Sequence, residues 1–298
     1  GEQIRAMFID GENTVVTDPD REHCERALKS LDFLVVCDLF MTETAEFADV
    51  VFPATGFGET DGTQTNTERR VQRLRKAVPP PGEAKPDWWI ISRLAQRMNF
   101  KGFDYSGADE VFNELCSLSG TYAGLNWDRV EFGEYQWPVP EEGHPGTPRL
   151  HEDRFINGRG IFKLIRYRDP AETIDDDYPV WLTTGRRLAH YHSRTQTGRS
   201  EGLDYLRPHE TLEVHPDDVA AWGASDGGWV NMSSRRGSVR IRIESTTRSP
   251  RGTVFSSFSF NDVPVNVLTG SGYDPVTDTA ELKVCPVRIE PATEPTGD

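Results

Sequence analysis

Two groups of polar side chains sit where apolar runs end, and they carry the chemistry available to this sequence. The first joins Asp10-Gly11-Glu12-Asn13, after the apolar run 4–9, to Asp38, Thr42 and Thr44, between the apolar runs 33–37 and 50–52. Hydrogen-bonding groups at strand ends are where open α/β sheets bind nucleotides, so the arrangement reads as a nucleotide-like cofactor site. Asp38 suits ribose hydroxyls or the amino and imino groups of a purine; equally, it suits a cap for the turn that begins near Thr42. Gly11 allows the backbone to approach a ligand closely. No Gly-x-Gly-x-x-Gly pattern is present, which disfavours an ordinary NAD site.

The second group is denser: Thr183-Thr184-Gly185-Arg186-Arg187-Leu188-Ala189-His190-Tyr191-His192-Ser193-Arg194-Thr195-Gln196-Thr197. A strand delivers Arg186 at its end, and hydroxyls and imidazoles follow. Guanidinium forks make bidentate phosphate contacts, so the run suits a pyrophosphate-bearing ligand; a solvated basic loop is the plain alternative. His190 and His192 have no evident third partner, and a metal site is not expected from them. Asn266 offers donor and acceptor groups to a heterocycle edge, and Lys283 lies in an apolar, strand-like run where a charge needs a partner. Turn chemistry would account for Asn266 and Asp274 equally well.

These residues need elements to hold them. The first half alternates apolar runs at 4–9, 33–37 and 50–52 with a helical stretch at 20–31, for which Asp20 is the expected N-cap. That alternation predicts parallel β-α-β units. A polar loop is expected at 56–67, a helix capped by Asp87 through Met98, and a second helix over 108–118. From 125 to 179 the text turns to Trp, Pro, Gly and His without periodicity and reads as an irregular connection. Short strands are then expected at 180–183, 211–214, 228–232, 238–243, 253–258 and 282–289, with a helix at 216–222, which favours a β-barrel.

Composition narrows the partners. The formal charge of −15 over 298 residues argues against a nucleic-acid duplex or an anionic membrane, since either needs a clustered basic face. Lysine is scarce beside arginine, which fits either a salt-rich cytoplasm or a GC-rich genome. No run is long and apolar enough to span a bilayer, and the start lacks a signal-peptide pattern, so a soluble, cytoplasmic chain is expected. Cys24, Cys37, Cys116 and Cys285 are scattered, with no Cys-x-x-Cys pair for zinc or an iron–sulfur cluster. Cys37 and Cys285 read as reduced core thiols.

Several motifs, in order, resemble the molybdopterin oxidoreductases: Gly11-Glu12-Asn13; Asp38-Leu39-Phe40-Met41-Thr42-Glu43-Thr44-Ala45 with Ala48-Asp49-Val50-Val51-Phe52-Pro53; Gly62-Thr63 with Asn66; Asp87-Trp88; the 184–197 run; and Asn266 with Lys283. Within that family the chain is similar throughout to the carboxy-terminal half of formate dehydrogenase alpha subunits. The resemblance implies a bis(molybdopterin guanine dinucleotide) cofactor holding molybdenum or tungsten. It also implies a partial Rossmann-like parallel sheet domain followed by a double-psi type β-barrel. The expected divisions are 1–124 for the α/β part, 125–178 for a connecting segment, 179–290 for the dinucleotide-binding barrel, and 291–298 for a disordered tail.

Carried over by position, Asp38 and Thr42 would contact one nucleotide. Gly11, Glu12, Asn13 and Asp87 join them as cofactor-binding residues, while Arg186, His190, His192, Asn266 and Lys283 would reach the pterin and phosphates. Arg186 and His190 are the residues expected nearest the metal. The family's iron–sulfur domain and its Cys or selenocysteine metal ligand are not found in this sequence. A fragment or split subunit is therefore expected, joined to an amino-terminal half or partner carrying the clusters, and oxidising formate to carbon dioxide only in that union. Another member such as a nitrate reductase, or a non-catalytic cofactor-binding module, is the alternative.

Overall fold

The computed structural model describes residues 4–294 and divides into two compact units. One comprises the chain up to Val35, Phe40–Asp49 and everything from Arg166 onward; the other comprises Val36–Leu39 and Val50–Ile165. The architecture is mixed α/β, with a small parallel sheet and a closed barrel of six strands. The sheet has the order β1-β2-β3, from Ala6–Asp10, Phe33–Asp38 and Val50–Pro53.

Two short helices follow β1. Helix α1 spans only Thr14–Thr17, and its residues Val15 and Val16 are buried. Helix α2, Arg21–Lys29, begins as expected at Asp20, whose carboxylate accepts the His23 amide at 3.2 Å and satisfies one of the amides a helix start leaves open.

In the second unit a hairpin replaces the polar loop expected at 56–67. Strands β4 (Gly62–Thr65) and β5 (Arg70–Leu74) pair antiparallel, and the Asn66 side chain accepts the Arg70 amide at 3.0 Å across the turn. Helix α3, Asp87–Arg97, carries Asp87 as its first residue, with Pro86 in the capping position; Asp87 is not the cap. Helix α4 covers Ala108–Leu118. Helix α5 (Trp127–Phe132) and strand β6 (Tyr135–Gln136) form within the stretch that reads as irregular, and β6 pairs with β5. Long-range packing explains them: Val71, Phe112, Cys116, Leu125, Val130 and Val139 share one core, and the Arg73 guanidinium lies 3.7 Å from the Trp127 ring centre.

The barrel uses β7 (Val180–Gly185), β8 (Thr211–Val214), β9 (Trp229–Ser233), β10 (Ser238–Ser245), β11 (Thr253–Ser257) and β12 (Cys285–Ala292) in the order β10-β8-β11-β7-β12-β9. Strand β10 displays the period-two logic: Val239, Ile241 and Ile243 point into the core while Arg240 and Arg242 face out. Each fully buried aliphatic side chain of this core contributes about 1.5–3 kcal/mol. Helix α6 (Glu201–Leu206) precedes β8, and α7 (Pro216–Ala221) follows it. Strand β12 runs through Ala292; of the tail expected from 291, residues 295–298 lie outside the described residues. Among the described residues, no helix is long and apolar enough to cross a membrane.

Candidate functional site

The polar run after β7 is built on a tight strand end. A Cβ added to Gly185 would fall 2.5 Å from the Phe255 ring on the neighbouring strand, so any larger residue there must displace that ring where β7 meets β11. The chain then leaves the barrel at Arg186, which is exposed and has no carboxylate partner among the described residues. Its guanidinium lies 6.0 Å from the centre of the Phe258 ring, and the His192 imidazole meets the same ring edge-on at 5.4 Å. Lys283 donates to the Thr184 carbonyl at 2.6 Å. It stands in the turn before β12 rather than within a strand, and its partner is that carbonyl.

The cations feel one another. Burial and then the Arg186 charge push the His192 pKa down, with Glu12 pulling the other way. Desolvation and then Arg186 likewise lower the Lys283 pKa. Arg186, His192 and Lys283 therefore converge at one mouth of the barrel, with Glu12 close by. Two buried hydroxyls on either side of Phe258, Ser256 and Ser259, have no hydrogen-bond partner among the described residues. Two cations with an imidazole between the strand end and the turn before β12 suit a phosphate-bearing ligand.

Of the other expected site residues in this unit, Gly11 stays open and the rest have internal contacts. Gly11 takes φ +64° with open space where a Cβ would lie, leaving its backbone accessible. Asn13 is buried and welds two turns together: its amide oxygen accepts the Thr44 hydroxyl at 2.9 Å and the Thr44 amide at 3.2 Å, and its nitrogen donates to Glu43 at 2.7 Å. The Thr42 hydroxyl accepts the Ala45 amide at 3.2 Å, and Thr44 takes the capping position of the short turn Ala45–Phe47. Asn266 donates to the Val16 and Thr17 carbonyls at 2.9 and 3.1 Å, holding the end of α1 against the barrel. His190 is buried, with Nε2 2.6 Å from the Arg207 carbonyl, Nδ1 3.1 Å from the Thr197 hydroxyl and its ring against Phe260.

Asp38 and Asp87 belong to the other unit. The Asp38 carboxylate accepts the Leu39 amide at 2.6 Å, and its carbonyl accepts the Ala54 amide at 3.1 Å. The Cys37 thiol lies 3.8 Å from the Asp87 carboxylate.

Sequence reasoning missed Phe258. The alternation Ser257-Phe258-Ser259-Phe260 past a strand was the available signal for it.

The His192 shift makes a pH prediction. With its folded pKa below the usual 6.5, the unfolded chain takes up this proton first as pH falls, so stability should rise with pH between the folded value and about 6.5. His192→Gln should lose that component while keeping the steeper acid limb below pH 4.5, where carboxyls held low by arginine, such as Glu172, protonate. Urea midpoints measured across pH 4–8 for both proteins decide it, and identical profiles would count against the assignment.

Residues 1–97 match the model of the molybdopterin oxidoreductase family, and 180–286 match the molydopterin dinucleotide binding domain. The chain is 44% identical over 97% of its length to the F420-dependent formate dehydrogenase 2 subunit alpha of Methanococcus maripaludis, covering 43% of that protein. It is 37% identical to the assimilatory nitrate reductase catalytic subunit of Bacillus subtilis, over 97% of this chain and 42% of that one. The chain thus spans less than half the length of these relatives. In fold it resembles acetylene hydratase from Pelobacter acetylenicus, with a TM-score of 0.75 and 20% identity over 97% of this chain and 44% of that one. The matches over 1–97 and 180–286 lead to one conclusion: the chain belongs to the molybdopterin oxidoreductase family.

Proposed function

We propose that this chain forms the cofactor-gripping carboxy-terminal portion of a molybdenum or tungsten formate dehydrogenase. The observation that carries the reading is the convergence of Arg186 and His192 on the Phe258 ring, with Lys283 on the Thr184 carbonyl two residues before Arg186, in a chain of formal charge −15. The Arg186 and Lys283 charges gathered this way repel unless an anion is bound between them, and the phosphates of a molybdopterin guanine dinucleotide are such an anion. Arg186 and Lys283 are assigned to phosphate and pterin oxygens, His192 and the Gly11-Glu12 turn to the same region. Asp38, with Asp87, is assigned to a guanine nucleotide. Asn13, Thr42, Asn266 and His190 hold these groups in place through the contacts above, and Arg186 is the residue assigned nearest the metal. The two parallel pairings, β7 with β11 and β8 with β10, support reading the barrel as the double-psi type.

When bound, the molybdopterin-held metal supplies two-electron redox chemistry, here the oxidation of formate to carbon dioxide. The chain's own part is to bind, orient and neutralise charge. Iron–sulfur clusters are assigned to a partner portion. The higher identity to the formate dehydrogenase subunit than to the nitrate reductase favours formate as substrate.

The test is co-production with a polypeptide supplying the iron–sulfur region in a molybdopterin-competent host. Metal content, guanine nucleotide released by acid, and formate-dependent dye reduction are then measured. The pair should hold molybdenum or tungsten and turn over formate, and the isolated chain should not. A pair devoid of both metals would refute the reading; turnover of nitrate in place of formate would move it to the nitrate reductases.

A further inference from the structure

Beneath the exposed Arg186 lies a hub that the phosphate assignment does not use. The Glu210 side chain has 0% exposure. Its Oε1 accepts from Arg187 Nη2 at 2.7 Å and Nε at 3.1 Å, and from the amides of Thr211 and Ser257 at 3.2 Å each. Its Oε2 accepts the Ser257 hydroxyl. One carboxylate thus joins the exit of β7 through Arg187, the start of β8 through Thr211 and the end of β11 through Ser257.

We infer that Glu210 is a positioning residue for the anion-binding mouth, setting Arg186 and Phe258 through their neighbours Arg187 and Ser257. Consecutive Cα atoms are about 3.8 Å apart, so fixing Arg187 and Ser257 leaves Arg186 and Phe258 little room to part. The ladder reinforces this, since Gly185 is paired with Ser257. The Arg187 guanidinium is itself held over the Phe255 ring at 4.9 Å and donates to Glu213 and to the Thr211 carbonyl. An apolar residue could fill the space under the loop at less desolvation cost, so stability alone does not account for a buried charge here. A shared acceptor that fixes three strand ends in register does.

The inference rests on the reading of Arg186 as a phosphate ligand, and its test separates the two. The full chain is titrated calorimetrically with GDP as a phosphate-bearing probe, and the His192 ring protons are followed against pH by NMR. Glu210→Gln, Arg186→Ala and the double variant are compared with wild type. Glu210→Gln should weaken GDP about tenfold, the size of a displaced charge-assisted hydrogen bond. The double variant should bind no more weakly than Arg186→Ala, because both changes remove one interaction. The His192 pKa should rise toward its ordinary value as Arg186 and Phe258 drift away.

Losses that add fully, or Glu210→Gln binding GDP like wild type while Arg186→Ala does not, would overturn the positioning role. If Arg186→Ala leaves GDP affinity unchanged, the phosphate assignment fails and the His192 titration decides alone: a rise in Glu210→Gln supports the positioning role, and no change ends it. Should Glu210→Gln fail to fold, Ser257→Ala removes one donor while sparing the Arg187 pair. It should move both readouts in the same direction by less, and no movement in either would overturn the inference.

Discussion

Arg187→Ala should be among the most destabilising single changes in the barrel unit, costing about 3–5 kcal/mol, because it strands the Glu210 carboxylate without its cation. The Arg187 side chain is 9% exposed and the Glu210 side chain 0%, so water cannot take over the lost partner. Glu213, which also accepts from Arg187, keeps Arg248 at 3.1 Å and is less affected. Removing Glu210 as well deletes the stranded charge, so Arg187→Ala/Glu210→Ala should cost clearly less than the sum of the singles. Urea unfolding of the three variants measures this. A loss under about 1 kcal/mol for Arg187→Ala, the range of exposed pairs, would mean that the hub is solvated in solution.

On the proposed function, Arg186→Ala in the enzyme assembled with its iron–sulfur portion should lower cofactor retention by about ten- to a hundredfold, the range for losing a charge-assisted contact of about 1.5–3 kcal/mol. Arg186→Lys keeps the charge and loses the fork, so cofactor should largely remain while formate turnover falls. The neighbour makes the contrast informative: Arg187 spends its donors on Glu210, Glu213 and Thr211, whereas Arg186 is exposed and unpaired among the described residues. Guanine nucleotide and metal content after gel filtration, with turnover, give the readout. Wild-type values for Arg186→Ala would reduce Arg186 to a solvated loop residue.

Much of the fold was legible because it is local. Asp20 as a helix cap, the helix over Ala108–Leu118, and the strand Thr211–Val214 all follow from periodicity and capping chemistry written within a few residues. The hairpin of β4 and β5 was not legible: Gly62-Thr63-Gln64-Thr65 and Arg70-Val71-Gln72-Arg73-Leu74 lack an apolar alternation of their own, and they pair because a core of aromatic and aliphatic residues from 112–139 covers Val71. Asp87 looks like a cap by residue type, yet Pro86 takes that place.

The sequence by itself determined the alternation of strands and helices, the run of barrel strands, and the polar residues at their ends, since each depends on side-chain type and spacing along the chain. Only the tertiary structure decided which of those polar residues face outward together. His190, Asn13 and Asn266 are as polar as His192 and Glu12, but their polar atoms are taken up by Arg207, Thr44 and the carbonyls of α1. Whether a donor is spent inside or left for a ligand depends on acceptors up to 250 positions away in the chain, as between Asn266 and Val16, and no local pattern encodes that distance.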